Sequence, residues 1–293
     1  MKISRRSVIT GLSLFSGGLF VRMVRGEEEI AYPGILSDFG GFACYTFTFE
    51  GRTAKIAVPS QDATGKPLDA DAPNTSSSDG KPWIWRARFW GHEPQTDIAL
   101  LRRGYHVVTI DATPLMGSSK SVELWQKFYQ FVTQTFGLSK RVVLEGMSRG
   151  GLYVMNWAIA YPDQVESIYI DNPVLDFRTW PGGARGGARS PSDWADVLQA
   201  YELSDEEAMA YENGPLNESR LRKLAERKVP ILVVCGDADR VVPYEQNTKI
   251  LEERYARLGG PIQVIVKPGN DHHPHSLPDP TPIVEFVENA AHR

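Results

Sequence analysis

Apolar and polar positions change rhythm along the chain, and each change marks an element. "FACYTFTFEGRTAKIAVPS" holds two β-rich runs, 42–49 and 53–58, on either side of Glu50-Gly51, which predicts a hairpin. A polar stretch rich in Gly, Pro and Ser, 60–80, reads as a surface loop. "KPWIWRARFWG" predicts a strand over 83–89 that ends at Gly91. "PQTDIALLRRG" has helical spacing and stops at Gly104, and "YHVVTIDA" is a continuously apolar strand of the buried parallel type. "SVELWQKFYQFVTQTFG" is an amphipathic helix closed by Gly137. A strand over 141–144, a turn at Ser148 and a helix to about Tyr161 follow. "VESIYIDNP", "VPILVVCGDADRVVP" and "PIQVIVKPG" each contain a strand. "YEQNTKILEERYARLGG" and the stretch 282–291 read as helices.

Strands therefore alternate with helices from Trp83 onward. That order predicts one α/β domain: a mostly parallel central sheet with helices on both faces and the hairpin antiparallel at one edge. The stretch 174–228 breaks the alternation. It opens with "WPGGARGGARSPSDW" and continues with short helical pieces at 191–201 and 204–211. It reads as an insertion leaving a strand's carboxyl end. The chemistry of such sheets gathers at those ends, so the insertion is placed to act as a small cap.

Composition adds limits. A chain of 293 residues with 42% hydrophobic content has ample material for one large core. A net charge of −4 provides no basic footprint for nucleic acid. Two cysteines, Cys44 and Cys235, are too few for a disulfide framework, and Cys235 reads as a buried free thiol. The N-terminus has Lys2, Arg5 and Arg6, then a moderately apolar stretch over 8–21, then acidic residues from Glu27. Residues 1–26 thus read as a secretory leader of the twin-arginine type, and the expectation is export to the periplasm or beyond. The alternative is an uncleaved anchor. No other segment is apolar enough to span a bilayer, so no stable membrane association is expected after cleavage.

The chemistry-bearing segments each follow a strand. In "EGMSRGG", Ser148 stands between a strand and a helix, the context in which a sharp turn presents a nucleophilic hydroxyl. Gly146 and Gly150 lack side chains, which lets the turn close. The backbone N–H of Arg149, at the helix N-terminus, is one oxyanion donor. The second is expected from the loop "WGHEPQTD", from the N–H of Trp90 or Gly91; His92 and Glu93 beside them are substrate-binding candidates. A base is expected from "GNDHHPHSLPDP", where His272, His273 and His275 compete. Pro274 interrupts that run and no Cys-rich or Glu-rich motif stands near, so it reads as a source of the base rather than a metal site. "CGDADRVVP" offers Asp237 and Asp239 as the acid that orients the base, with Asp171 and Asp176 in reserve. One aspartate is expected to serve the turn and the other the histidine. Among the tryptophans, Trp83 and Trp85 are expected in the core and Trp90 and Trp180 at a pocket. Arg185 and Arg189 are expected in a solvated loop.

"GMSRGG", "GDADRVVP" and "HHPHSL", in this order from about Phe42 to the C-terminus, resemble the α/β-hydrolase superfamily. Within it the chain resembles secreted bacterial esterase-like proteins related to the prolyl oligopeptidase and acetyl xylan esterase groups. Members usually have Gly directly before the catalytic histidine; here Asp271 takes that place. The resemblance still implies His272 as base, with His273 as the alternative. It implies Asp239, four residues before Pro243, as acid, with Asp237 as the alternative. The implied reaction is ester hydrolysis through a Ser148 acyl-enzyme, without metal or organic cofactor. The expected substrate is an acylated carbohydrate or a similar small ester. The alternatives are an oligopeptidase or aminopeptidase of the same fold, and a catalytically silent binding protein.

Overall fold

The computed structural model describes residues 32–62, 64–66 and 80–291; the expected leader, 1–26, and most of the loop after Gly65 lie outside them. Among the described residues, nine strands form one sheet: β1 (Ile35–Phe39), β2 (Phe42–Phe49), β3 (Arg52–Asp62), β4 (Trp83–Arg86), β5 (His106–Ile110), β6 (Val142–Met147), β7 (Val165–Asp171), β8 (Ile231–Gly236) and β9 (Ile262–Lys267). Their spatial order is β1-β2-β3-β5-β4-β6-β7-β8-β9. The strands β1, β2 and β3 are antiparallel, β3 meets β5 antiparallel, and every pair from β5 to β9 is parallel. The predicted hairpin is β2–β3, and β1 adds one more edge strand that the apolar pattern did not reveal.

Eight α-helices of the described residues accompany the sheet: α1 (Gln95–Arg102), α2 (Ser119–Thr135), α3 (Gly150–Ala160), α4 (Pro191–Tyr201), α5 (Asp205–Met209), α6 (Glu218–Glu226), α7 (Thr248–Arg257) and α8 (Thr281–Ala291). On one face α1 packs with α8, and on the other α2, α3, α6 and α7 pack in sequence. The alternation along β4 shows why both faces need cover. Ile84 sits with Leu100, Leu101, Val284 and Val287 under α1 and α8. Trp83 and Trp85 point the other way; Trp85 stacks on Trp125 of α2 with centroids 4.1 Å apart. The strands β4, β5, β6 and β8 are buried along their whole length, as strands covered on both faces must be. Cys44 and Cys235 are buried free thiols.

Two segments differ from the expectations. The strand expected over 83–89 stops at Arg86, because the Arg86 side chain turns inward to bind the loop that follows. Within 174–228, α6 packs against α3 and α7 and belongs to the helix layer. The part outside that layer is therefore 174–217. It has its own apolar cluster, Phe177, Trp180, Trp194 and Val197, which joins Met116, Leu152 and Val242 of the body. No helix of the described residues is long and apolar enough to cross a membrane.

Candidate active site

Ser148 lies between β6 and α3 with φ 49°. Its carbonyl accepts from Val174 N–H at 2.9 Å, and its own N–H donates to Asp171 O at 2.9 Å, so the turn is held to the end of β7. A non-glycine residue with positive φ costs energy and persists where its surroundings fix it. The glycines share the work differently from the motif's appearance. A Cβ on Gly146 would stand 2.8 Å from Gly150 O, and one on Gly151 2.8 Å from Pro173 Cβ and Val174 O. One on Gly150 would meet only Ala87 Cβ at 3.5 Å, an ordinary contact.

The loops after β8 and β9 converge on the serine. His272 Nε2 is 2.9 Å from Ser148 Oγ, and His272 Nδ1 is 2.7 Å from Asp239 Oδ2. Asp239 Oδ1 accepts from the N–H groups of Val241 and Val242, both at 2.8 Å. An ionised Asp239 therefore sets the imidazole with its proton on Nδ1 and its lone pair toward the hydroxyl. Asp237 serves the turn instead, accepting from Gly269 N–H at 2.6 Å. His273 is exposed and stands beside His272 rather than between it and the serine. Asn172 ties the ends of three strands together. Its Nδ2 donates to His272 O at 2.7 Å, and its Oδ1 accepts from Gly236 N–H at 2.8 Å.

Asp271 links the loops that carry Asp239 and His272. Its Oδ1 accepts from His272 N–H at 2.8 Å and Arg240 N–H at 2.9 Å, and its Oδ2 accepts from Arg240 Nε at 2.7 Å. The Arg240 bonds hold its carboxyl down at about 2.

A second pair lies next to the first. His275 Nδ1 is 2.8 Å from Asp171 Oδ1, both buried, while Asp171 Oδ2 accepts from Ser276 N–H at 2.8 Å. Asp171, held in reserve as an acid for the base, thus serves a different histidine. Asp176, the other reserve, binds Arg178 in the cap.

The pocket over Ser148 has a volume of about 420 Å³ and is lined by Phe89, Trp90, His92, Arg149, Trp180, Val241, His272, His273 and His275. Trp90, His92 and Trp180 are placed there as the sequence suggested. Gly91 and Glu93 do not line it; Glu93 Oε1 stands 4.0 Å from His92 Nε2, and Gly91 supplies a turn at φ 77°. Among the described residues, neither the Arg149 nor the Trp90 backbone N–H donates to another protein group.

Three residues near the site were not legible as functional. Arg86 is buried with Asp97 and Glu145. It donates through Nε to the carbonyls of Arg88 (3.2 Å) and Phe89 (3.1 Å), and through Nη2 to His92 O. This guanidinium shapes the loop that carries Trp90. Burial, then the neighbouring Asp97 charge, raises the Glu145 carboxyl well above its ordinary range. Phe89 lines the pocket with φ 57°. The third is the Arg149 side chain. It lies over the rings of Phe89 (5.6 Å) and Trp180 (5.2 Å) and pairs with Asp193 of α4. Arg185 and Arg189 do not line the pocket; Arg189 Nη1 donates to Gly182 O at 2.9 Å within the cap.

A mostly parallel sheet with helices on both faces, and a serine, an acid and a histidine each on a loop after a strand, define an α/β-hydrolase. A model of the prolyl oligopeptidase family matches residues 115–289, more than half of the sequence, and the chain belongs to that family. It is similar to the acylamino-acid-releasing enzyme of Rattus norvegicus, with 25% identity over 137 residues, which are 46% of this chain and 18% of that enzyme. The chain therefore spans under a fifth of the length of that relative. Among solved structures it resembles a puromycin-hydrolyzing peptidase of Mycobacterium tuberculosis (TM-score 0.61, 16% identity, 85% of this chain and 38% of that one). It also resembles an S-formylglutathione hydrolase from Agrobacterium tumefaciens (TM-score 0.57, 14% identity, 88% and 96%). At these identities the structural likeness concerns the fold.

Proposed function

We propose that the protein is a serine hydrolase that cleaves small carboxylic esters through an acyl-enzyme. The observation that carries this reading is the continuous relay Ser148 Oγ–His272 Nε2–His272 Nδ1–Asp239, at 2.9 and 2.7 Å. Ser148 attacks the ester carbonyl as His272 takes its proton, and Asp239 stabilises the imidazolium. The oxyanion is met by the backbone N–H groups of Arg149 and Trp90. His272 then protonates the leaving alcohol, and water activated by the same ring frees the acid.

The pocket's chemistry favours an ester over a peptide with a free amino terminus. An ammonium group needs a carboxylate partner when it leaves water. None of the residues lining the pocket is Asp or Glu. Trp90 and Trp180 offer flat apolar faces of the kind that pack on a sugar ring, which supports an acylated carbohydrate. A second reading, release of an acylated amino acid, follows from the same absence, because a blocked amine needs no carboxylate.

Purified protein should hydrolyse p-nitrophenyl acetate and acetylated sugars, leave free aminoacyl p-nitroanilides intact, and take up a fluorophosphonate on Ser148. Ser148→Ala should lower kcat by roughly 10⁴-fold or more while thermal unfolding stays unchanged, since one hydroxyl is lost from a site filled by its neighbours. A substituted protein that still turns over esters at the wild-type rate overturns the assignment. Turnover of acylaminoacyl anilides above all esters favours the second reading.

A further inference from the structure

The turn at Pro274 brings three imidazoles together at the pocket. Ring centroids of His272 and His273 are 5.0 Å apart, those of His272 and His275 5.0 Å, and those of His273 and His275 4.7 Å. The three ring planes are mutually near-perpendicular, at 80° to 81°. One ring nitrogen from each lies within 4.8 Å of the other two. A tetrahedral ion with Zn–N distances of about 2.0–2.1 Å holds its imidazole centroids about 5 Å apart. The rings therefore already stand at nearly the separation such an ion imposes.

Two of the rings are also backed by a carboxylate at Nδ1. Asp171 engages Nδ1 of His275 and Asp239 engages Nδ1 of His272, so each Nε2 presents a lone pair away from its carboxylate. A carboxylate behind the far nitrogen is the usual support for a metal-bound histidine. His275 Nε2 has no protein partner among the described residues, and the ring lines the pocket. His273 closes the triangle from the exposed side, and His92 stands with its centroid 6.0 Å from both His273 and His275.

We propose that His272, His273 and His275 bind a divalent transition cation of the Zn²⁺ class, and that the bound ion silences Ser148. Coordination uses the His272 Nε2 lone pair that now faces Ser148 Oγ at 2.9 Å. An ion on that nitrogen and a proton arriving from the serine exclude each other. The site is thus a reversible brake, open when the cation is scarce and closed when it is abundant. Binding stands on the histidine geometry alone; the braking rests on the hydrolase reading above.

The two parts are tested separately. Zn²⁺ titrated calorimetrically into the Ser148→Ala protein should bind one ion per chain. Co²⁺ in its place should give the visible absorption of a tetrahedral nitrogen-ligated ion, and Mg²⁺ should not bind. His273→Ala, at an exposed position, should weaken the Zn²⁺ affinity roughly tenfold or more, and His275→Gln likewise. In the wild-type protein, Zn²⁺ should slow fluorophosphonate labelling of Ser148, and a chelator should restore it. No Zn²⁺ binding to the Ser148→Ala protein, or binding unaffected by His273→Ala, overturns the site. Tight binding with unchanged labelling overturns the brake. A Ser148 that does not label even in the presence of chelator counts against the hydrolase reading, and the calorimetry still decides the ion site.

Discussion

Asp271 stands where the family resemblance led one to expect a glycine, and the structure shows what the carboxylate does there. A glycine there would leave the His272 backbone N–H and the Arg240 side chain without this shared acceptor. With Asp271 in place, the acid and base loops share one carboxylate. Asp271→Gly should therefore lower kcat by roughly tenfold with little change in KM, because it loosens the base without touching the pocket wall. Steady-state kinetics on a p-nitrophenyl ester read the split; an unchanged kcat removes the role. Because the folded carboxyl is depressed to about 2, the tie is complete above the ordinary carboxylate range and is lost as pH falls through about 2. Ser148, Asp239 and His272 were legible because each follows a strand in a fixed order. The His275–Asp171 pair was not, since 104 residues separate its members and no spacing rule joins them. Arg86 was hidden for another reason. Inside an apolar strand it reads as an exposed alternation, whereas two buried carboxylates and three loop carbonyls hold it in.

At the scale of elements, α3 shows how a short motif misassigns its own glycines. The G-x-S-x-G pattern marks Gly150, yet the close approach is made by Gly151, where the helix meets Pro173 and Val174 at the start of the cap. Gly150→Ala should change stability by less than about 1 kcal/mol. Gly151→Ala should cost about 1–3 kcal/mol, as overpacking does where the neighbour is backbone. Urea unfolding of the two variants side by side decides it; equal midpoints refute the assignment. The helices α1, α2, α3, α4 and α7 were legible from periodicity and their stops. The strand β1 was not, because "ILSDF" is short and mostly exposed, and only its pairing with β2 makes it a strand. Helix α6 was hidden by its charge: in "ESRLRKLAE" only Leu221, Leu224 and Ala225 are buried, a narrow stripe that suits one edge of a helix layer.

For the whole molecule, the parallel order and the antiparallel edge were visible in the alternation of elements, because buried parallel strands announce themselves as unbroken apolar runs. The exception within those runs bears on acid stability. His106 opens β5 fully buried; its Nδ1 faces Pro82 O at 3.4 Å and its Nε2 accepts from the Tyr32 hydroxyl at 3.0 Å. Burial, then the Lys81 charge, pushes its pKa down to about 3 from the ordinary 6.5. The unfolded chain binds a proton that the folded chain refuses. The stability from the neutral ring is complete above pH 6.5 and is lost as pH falls toward about 3. The slope contributed by this one site is up to about 1.4 kcal/mol per pH unit. Chemical denaturation at stepped pH should show that slope, and His106→Gln should flatten it; an unchanged slope in the variant assigns the acid sensitivity elsewhere.

The Arg149 side chain sets a condition on redesign. Its backbone stands beside the nucleophile, while its guanidinium is clasped by Trp180 and Asp193 from the cap. A chimera that grafts a foreign 174–217 segment to recruit new substrates would remove that clasp together with the native pocket wall. The graft and the elbow are then one heritable unit, and exchange of specificity in this scaffold has to carry a carboxylate and a flat ring across the splice.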